Sequence, residues 1–382
     1  MMKKGEDKVR TIQICTRRRS VCDILVGCPL SQTGRLVRRR AAARRALVVS
    51  DTTVFPLYGR AVVRSLADAG VEVFAAKIRP GERSKTLAAA EEICGICSRR
   101  GLERTDIIVA VGGGVVSDLA GFVASIYLRG IAFAAVPTTL LAQVDAAIGG
   151  KTAVDLPWAK NVIGSFHQPR LVVVDPAALS TLPARQMRQG LAEVVKYGMI
   201  GDARLCARLE RTDVLRHRSW LSGVVAACVR MKADIVARDE MELSGEREVL
   251  NFGHTLGHAI EIACLPRYTH GEAVALGMAG ETWLAVRRGR CAPDVLERLV
   301  GLLRRLKLPW DISEIDLNAA AAHLKYDKKV RKGRLRFVLP EAVGRVRVGE
   351  EMDRNEAVRI LREWPYERER RTCRAPKGDR PS

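Results

Sequence analysis

The chain has 382 residues, 47% hydrophobic and 28% charged, a balance that excludes a disordered or fibrous protein and suffices for two domains with their own cores. No run of about eighteen apolar residues occurs and the start lacks an apolar secretory core, so neither a helical membrane span nor a signal peptide is expected, and the cytoplasm is the expected compartment. The net charge of +21 is uneven, with thirteen Lys/Arg against three Asp/Glu in residues 1–45; with 5% aromatic residues and no zinc-finger or RNA-binding signature, it reads as a solvated, Arg-rich end and not as a specific nucleic-acid surface.

In chain order, residues 1–20 read as a basic extension. Ala46 to Asp51, Val71 to Phe74, Ile107 to Val111, Ile131 to Pro137 and Leu171 to Asp175 read as buried parallel strands, with helices at about 56–69 and 85–100 between the first three. Alternating strands and helices imply an α/β domain over 21–182 with a mostly parallel sheet. From Pro183 the period becomes helical: 186–201, 203–210, 219–239, 248–263, 271–288, 293–306, 316–324 and 353–364. This predicts an α-helical domain over 183–365, interrupted by a hairpin from Lys332 to Pro340 that turns at Gly333 and has Arg336 to Leu339 as its second strand. Residues 366–382 are charged and Pro-bearing, the composition of a disordered tail. The ten cysteines are scattered, and Cys94-x-x-Cys97 falls inside a helical stretch, so it reads as packing and not as a redox motif.

Ile107 to Val111 runs into Gly112-Gly113-Gly114-Val115-Val116-Ser117-Asp118 and a helix. Glycines at a strand-to-helix turn let a pyrophosphate approach the open N–H groups, although Ser117 stands in place of the last glycine of the usual dinucleotide pattern. Arg129, Pro137-Thr138-Thr139, Asp145, Gly149-Gly150-Lys151-Thr152 and Lys160-Asn161 lie near the ends of strands or in the loops after them. There, ligands of open α/β sheets bind, and the set suits a polyhydroxy anion beside a dinucleotide. Three of six histidines fall in Asn251 to His258 and at His270. His254 and His258, four apart, share a helical face and look like a metal pair, with Thr255 where a zinc protease carries its glutamate. Glu193 and Lys196 share a face upstream, as a candidate carboxylate ligand or an ordinary salt bridge.

Pro80 to Lys85, Gly112 to Asp118, Pro137 to Thr139, Gly149 to Lys151, Lys160 to Pro169, Gly190 to Gly198, and Asn251 to His258 with His270-Gly271-Glu272 occur in the order that closely resembles the 3-dehydroquinate synthase family. The likeness runs from about Val21 to Val348. It implies a Rossmann-like NAD-binding domain followed by a helical metal-binding domain, usually in a homodimer with one zinc or cobalt ion per subunit. It also implies a different metal set from the spacing: Glu193, His254 and His270 become the ligands and His258 turns to substrate. By the same resemblance Asp51, Glu82, Lys85, Gly113, Gly114, Asp118, Thr138, Thr139, Lys151, Lys160 and Thr181 contact NAD. Arg129, Asp145, Lys151, Asn161, Lys196, Lys232, Arg247, Asn251, His258 and Lys328 form the substrate set, with Arg129 reaching a neighbouring subunit. Thr53 and Gln186 depart from the family pattern at the cofactor edge.

The implied reaction converts 3-deoxy-D-arabino-heptulosonate 7-phosphate to 3-dehydroquinate and phosphate by transient oxidation, elimination, re-reduction and intramolecular aldol closure, with no net redox change. Rival readings on the same scaffold are cyclases of the aminodehydroquinate, inosose or valiolone type and metal-dependent glycerol or glycerol-phosphate dehydrogenases. Lys232, Arg247 and Asn251 favour a carboxylate-bearing substrate, because a planar guanidinium pairs with a carboxylate through two hydrogen bonds.

Overall fold

The computed structural model describes residues 9–15, 21–211, 220–264, 266–324 and 334–364. It divides into two compact units, Met1–Tyr197 with Thr212–Arg247, and Gly198–Arg211 with Glu248–Ser382. The strands in chain order are β1 (Arg10–Cys15), β2 (Val21–Val26), β3 (Arg45–Asp51), β4 (Glu72–Ile78), β5 (Ile107–Gly112), β6 (Ala132–Pro137), β7 (Lys151–Leu156), β8 (Ala159–Phe166), β9 (Leu171–Val174), β10 (Leu335–Ala342) and β11 (Arg345–Met352). The helices are α1 (Thr33–Ala41), α2 (Arg60–Asp68), α3 (Leu87–Arg99), α4 (Gly114–Ile126), α5 (Ala184–Ile200), α6 (Ala203–Arg211), α7 (Leu221–Arg238), α8 (His254–Ala263), α9 (His270–Arg287), α10 (Pro293–Arg305), α11 (Leu317–Leu324) and α12 (Arg354–Leu361).

The first unit is built on a seven-stranded sheet in the order β1-β2-β9-β6-β5-β3-β4. All neighbours are parallel except β1 and β2. Every residue of β5 and β9 is buried, which is why these segments are continuous apolar runs: a parallel strand is covered on both faces. Val48, Val109, Val136 and Val173 from the central strands pack with Val37 and Leu66, and truncating one of the larger of these would cost about 2–5 kcal/mol. The strand order reverses between β3 and β5, so Asp51 and Gly112, which end those strands, lie at the edge where such sheets admit ligands.

Two segments of this unit differ from the sequence reading. Arg10–Cys15, within the stretch read as a solvated basic end, is the antiparallel edge strand β1; its Ile12 and Ile14 are buried, and this short alternation is outweighed in composition by the flanking arginines. Lys151–Phe166, for which no strand is predicted, is the β7–β8 hairpin, whose second strand is half-exposed or exposed throughout and lacks a strand's apolar pattern. Cys94 and Cys97 are free thiols on α3, and burial pushes the Cys97 thiol up to about 12, as packing requires.

In the second unit α8 and α9 meet at backbone contact. A Cβ on Gly277 would fall 2.0 Å from the Gly253 carbonyl oxygen, and one on Gly257 would lie 3.1 Å from the Ala273 carbonyl oxygen. The helix read as starting at 248 is broken by Gly253, which has φ 77° and makes His254 the first residue of α8. Buried Glu281 accepts the backbone N–H groups of Gly253 and Leu256 at 2.7 and 3.0 Å, fixing that helix start. The predicted hairpin is displaced: Arg336 to Leu339 belongs to its first strand, β10, which pairs with β11, and Gly344 in the turn has φ 90°. The turn is therefore made by the later glycine, and Gly333 lies outside the described residues. Among the described residues no helix is long and apolar enough to cross a membrane.

Candidate active site

At the end of β5, Gly113 is the N-cap of α4 and supplies no side-chain hydrogen bond to the helix start, which leaves its first N–H groups available to an anion. A Cβ on Gly113 or Gly114 would crowd Thr139 at 3.1 Å or Ala146 at 3.2 Å. The Ser117 and Thr138 hydroxyls are buried without a hydrogen-bond partner among the described residues. Asp51 Oδ1 accepts the N–H groups of Thr53 and Val54, both at 2.8 Å. The Thr181 hydroxyl shares a 2.7 Å hydrogen bond with Tyr58, and Thr139 Oγ1 accepts the Ala142 N–H at 3.2 Å.

Buried Lys85 joins several of the residues nominated for NAD. Its Nζ lies 3.1 Å from Glu82, 3.1 Å from Asp118 and 3.6 Å from Asp155, and donates to Asn161 Oδ1 at 2.6 Å. Asn161, nominated for substrate, is thus tied to the cofactor-side lysine, through a left-handed backbone with φ 54°. Burial alone would depress Lys85, but the three carboxylates outweigh it and hold the ammonium charged. Burial raises Asp118 to about 6 against the pull of Lys85, with Glu82 and Asp155 adding to the rise.

A second cluster centres on Asp145, carried by the π-helical turn Ala142–Ala146. Its Oδ1 accepts Lys232 Nζ at 2.7 Å and the Tyr197 hydroxyl at 2.8 Å, with Lys196 Nζ at 3.8 Å. Lys232 also donates to the Asp145 carbonyl at 2.7 Å, while Lys196 pairs with Glu193 at 2.5 Å. Burial opposes charge on Asp145, yet Lys196, Lys232 and the two hydrogen bonds hold its carboxyl well below the usual range. Burial, reinforced by Arg247 and Lys196, brings Lys232 down to about 8 despite Asp145. Arg247, 2% exposed, donates to the carbonyls of Gly149 at 3.0 Å and Glu240 at 2.8 Å. Gly149 has φ 94° and its Cβ would come 2.8 Å from that guanidinium, so the glycine pair before Lys151 lets arginine and backbone meet. Lys151 pairs with Glu242.

His254, His258 and His270 form a triangle with ring centroids 5.3, 5.5 and 5.8 Å apart. His254 Nδ1 donates to the Phe252 carbonyl at 3.1 Å, and His270, the first residue of α9, has Nδ1 3.2 Å from Glu261. Such contacts orient a ring and leave Nε2 as the lone-pair donor. Glu193, His254 and His270 each offer one ligand atom, and these lie within 4.8 Å of one another. This is the set implied by the resemblance, not the pair suggested by the four-residue spacing; His258 is exposed on α8. Two imidazoles and one carboxylate are the donor set of a catalytic zinc site that keeps a position open.

Burial opposes charge on Glu82, but the charges of Lys85 and of Lys160, on β8, hold its carboxyl below the usual range; the remaining nominated residues lie elsewhere. Arg129 is exposed at the end of a left-handed turn, with φ 49° at Leu128 and 63° at Arg129. Asn251 ends the 3-10 turn before α8, and Lys328 is outside the described residues. Sequence reading missed Tyr197, which looks like a core aromatic, and Glu242 and Glu261, which look like solvated acids.

Comparison with known proteins follows the same lines. The 3-dehydroquinate synthase N-terminal family matches residues 75–189 and the 3-dehydroquinate synthase C-terminal family residues 190–330. The chain is 48% identical over 338 residues to a 3-dehydroquinate synthase of Gloeobacter violaceus, covering 87% of this chain and 93% of that one. Among solved structures it is similar to 2-deoxy-scyllo-inosose synthase complexed with carbaglucose-6-phosphate, NAD+ and Co2+ (TM-score 0.82, 26% identity, 93% of this chain and 100% of that one). It is also similar to a 2-epi-5-epi-valiolone synthase of Streptomyces hygroscopicus with NAD+ and Zn2+ bound (TM-score 0.79, 30% identity, 89% of this chain and 96% of that one). A probable glycerol dehydrogenase of Sinorhizobium meliloti, 17% identical with a TM-score of 0.58, shares the fold alone.

Proposed function

The chain belongs to the 3-dehydroquinate synthase family, and we propose that its polar clusters divide the reaction of that family between them. It is an NAD- and metal-dependent, phosphate-eliminating lyase that converts 3-deoxy-D-arabino-heptulosonate 7-phosphate to 3-dehydroquinate and phosphate. The observation that carries the reading is the convergence of Glu193, His254 and His270 in a chain that also holds the glycine turn before α4. When bound, the two groups supply a hydride acceptor that is regenerated within the cycle and a Lewis acid for the substrate hydroxyls.

The chain's own residues do the remaining work. The N–H groups at the start of α4 receive the dinucleotide pyrophosphate, Thr138 offers it an otherwise unpaired buried hydroxyl, and Lys85 with Glu82, Asp118, Lys160, Thr139, Thr181 and Asp51 shapes the rest of its seat. Asp145, held ionised against its burial by Lys196, Lys232 and Tyr197, accepts a hydrogen bond from a substrate hydroxyl. Lys151, Asn161, Lys196, Lys232, Arg247, Asn251 and Lys328 receive the phosphate and carboxylate, and His258 contacts the substrate. In the same proposal the enzyme is cytoplasmic, and it is a homodimer in which exposed Arg129 serves a neighbouring copy's site.

Purified protein given NAD, zinc and the heptulosonate phosphate should release phosphate without accumulating NADH. Steady NADH formation from glycerol, with no phosphate released from the sugar phosphate, would point to a dehydrogenase instead.

A further inference from the structure

One acidic side chain on the substrate-side cluster has no role in the reaction described above. Glu242 lies on the turn after α7, with φ 57°, a left-handed backbone that a glutamate adopts only where its surroundings impose it. Asp239 imposes it: its Oδ1 accepts the N–H groups of Leu243 and Ser244 at 2.8 and 3.2 Å, and its Oδ2 accepts that of Arg247 at 3.1 Å. The turn delivers the Glu242 carboxylate onto Lys151 Nζ and to 3.6 Å from Arg247 Nε. That Nε is buried and makes no hydrogen bond among the described residues, while the other arms of the guanidinium are committed to Gly149 and Glu240.

Lys151 and Arg247 belong to the set that the substrate reading gives to the phosphate and carboxylate together; in place of the paired carboxylate contact expected from the sequence, the two terminal arms of Arg247 are engaged by the Gly149 and Glu240 carbonyls, which leaves the pair to act on the phosphate by charge. A carboxylate and a phosphate cannot both occupy that pair without like-charge repulsion in a partly desolvated site. We propose that Glu242 is a tethered stand-in for the substrate phosphate, offsetting one of the two charges of Lys151 and Arg247 in the ligand-free enzyme and yielding the pair when phosphate arrives. The proposal rests on the substrate reading and adds a selectivity element to it. A neutral or weakly charged sugar gains too little from the cations to displace the carboxylate, whereas a dianion gains more than the tether holds. The same competition favours departure of the phosphate product.

The test is calorimetric titration of inorganic phosphate into zinc- and NAD-loaded enzyme, wild type against Glu242→Gln, with NAD affinity measured alongside. The variant is expected to bind phosphate about tenfold tighter, to bind NAD as before, and to show stronger product inhibition by phosphate. Equal or weaker phosphate binding, or parallel changes in phosphate and NAD affinity, would overturn the proposal. Should Glu242→Gln fold poorly, Glu242→Asp withdraws the same charge by one methylene and decides by the same sign of change. Turnover of the sugar phosphate by wild-type enzyme is scored separately, so failure of the substrate reading is seen there and not in the phosphate comparison.

Discussion

The clusters around Lys85 and Asp145 lie in the same unit and use the same residue types in opposite proportion. Around Lys85, three carboxylates share one ammonium. Around Asp145, one carboxylate is held by Lys232, approached by Lys196, and flanked by Arg247 close enough to depress Lys232. In the proposed assignment the acid-rich side, with Lys85 outnumbered, would receive a pyrophosphate mainly through the backbone N–H groups at the glycine turn. The cation-rich side can hold substrate anions directly, and Glu242 offsets part of its surplus until they arrive. On the proposed assignment, one dinucleotide and one sugar phosphate, both anionic, would be received by different physical means.

The largest effect that could break this contrast is removal of its central acid. Asp145→Asn leaves the buried ammonium of Lys232 without its counter-charge, and the expected loss is about 3–5 kcal/mol of stability, together with most turnover; a melting temperature equal to wild type would mean that the cations do not depend on Asp145. Lys85→Met leaves Glu82, Asp118 and Asp155 crowded without a cation. It should weaken NAD binding on the order of tenfold or more while sparing phosphate affinity, and fluorescence titration of both ligands separates the two clusters.

The smallest expected effect is a pH dependence. Lys232 is brought down to about 8, so it is cationic below that pH and loses its charge as pH rises through it; KM for the sugar phosphate should climb between pH 7 and 9, and Lys232→Met should flatten the climb. The stability sign is opposite. A lysine lowered below its unfolded value destabilises the fold at pH under about 8, and that cost is relieved as pH rises toward 10.5.

Legibility in the sequence differed by mechanism. The parallel strands of the first unit were readable because burial on both faces leaves uninterrupted apolar runs, as in Ile107–Gly112. The glycine turn and the cations after Gly149-Gly150 were readable because their residue types and spacing are set by backbone geometry. The β7–β8 hairpin carried little such signal, since β8 alternates between half-exposed and exposed positions. For the metal, helical spacing proposed His254 with His258, and only the family resemblance replaced His258 with His270. His270 is placed by the backbone contact of α8 with α9 at Gly253 and Gly277, a tertiary fact absent from any local pattern. Tyr197 and Glu242 act through partners far along the chain, Glu242 also through an unusual φ, and Glu261 meets His270 across the turn between two helices; composition reveals none of these.

The metal-dependent reaction of this chain depends most directly on the convergence of Glu193, His254 and His270. Elemental analysis of purified wild-type protein and of Glu193→Ala, after exhaustive dialysis against metal-free buffer, tests it. Near-stoichiometric zinc or cobalt in the wild type and almost none in the variant is the predicted result. Equal metal content in the two proteins would contradict the assigned ligand set and the reaction built around it.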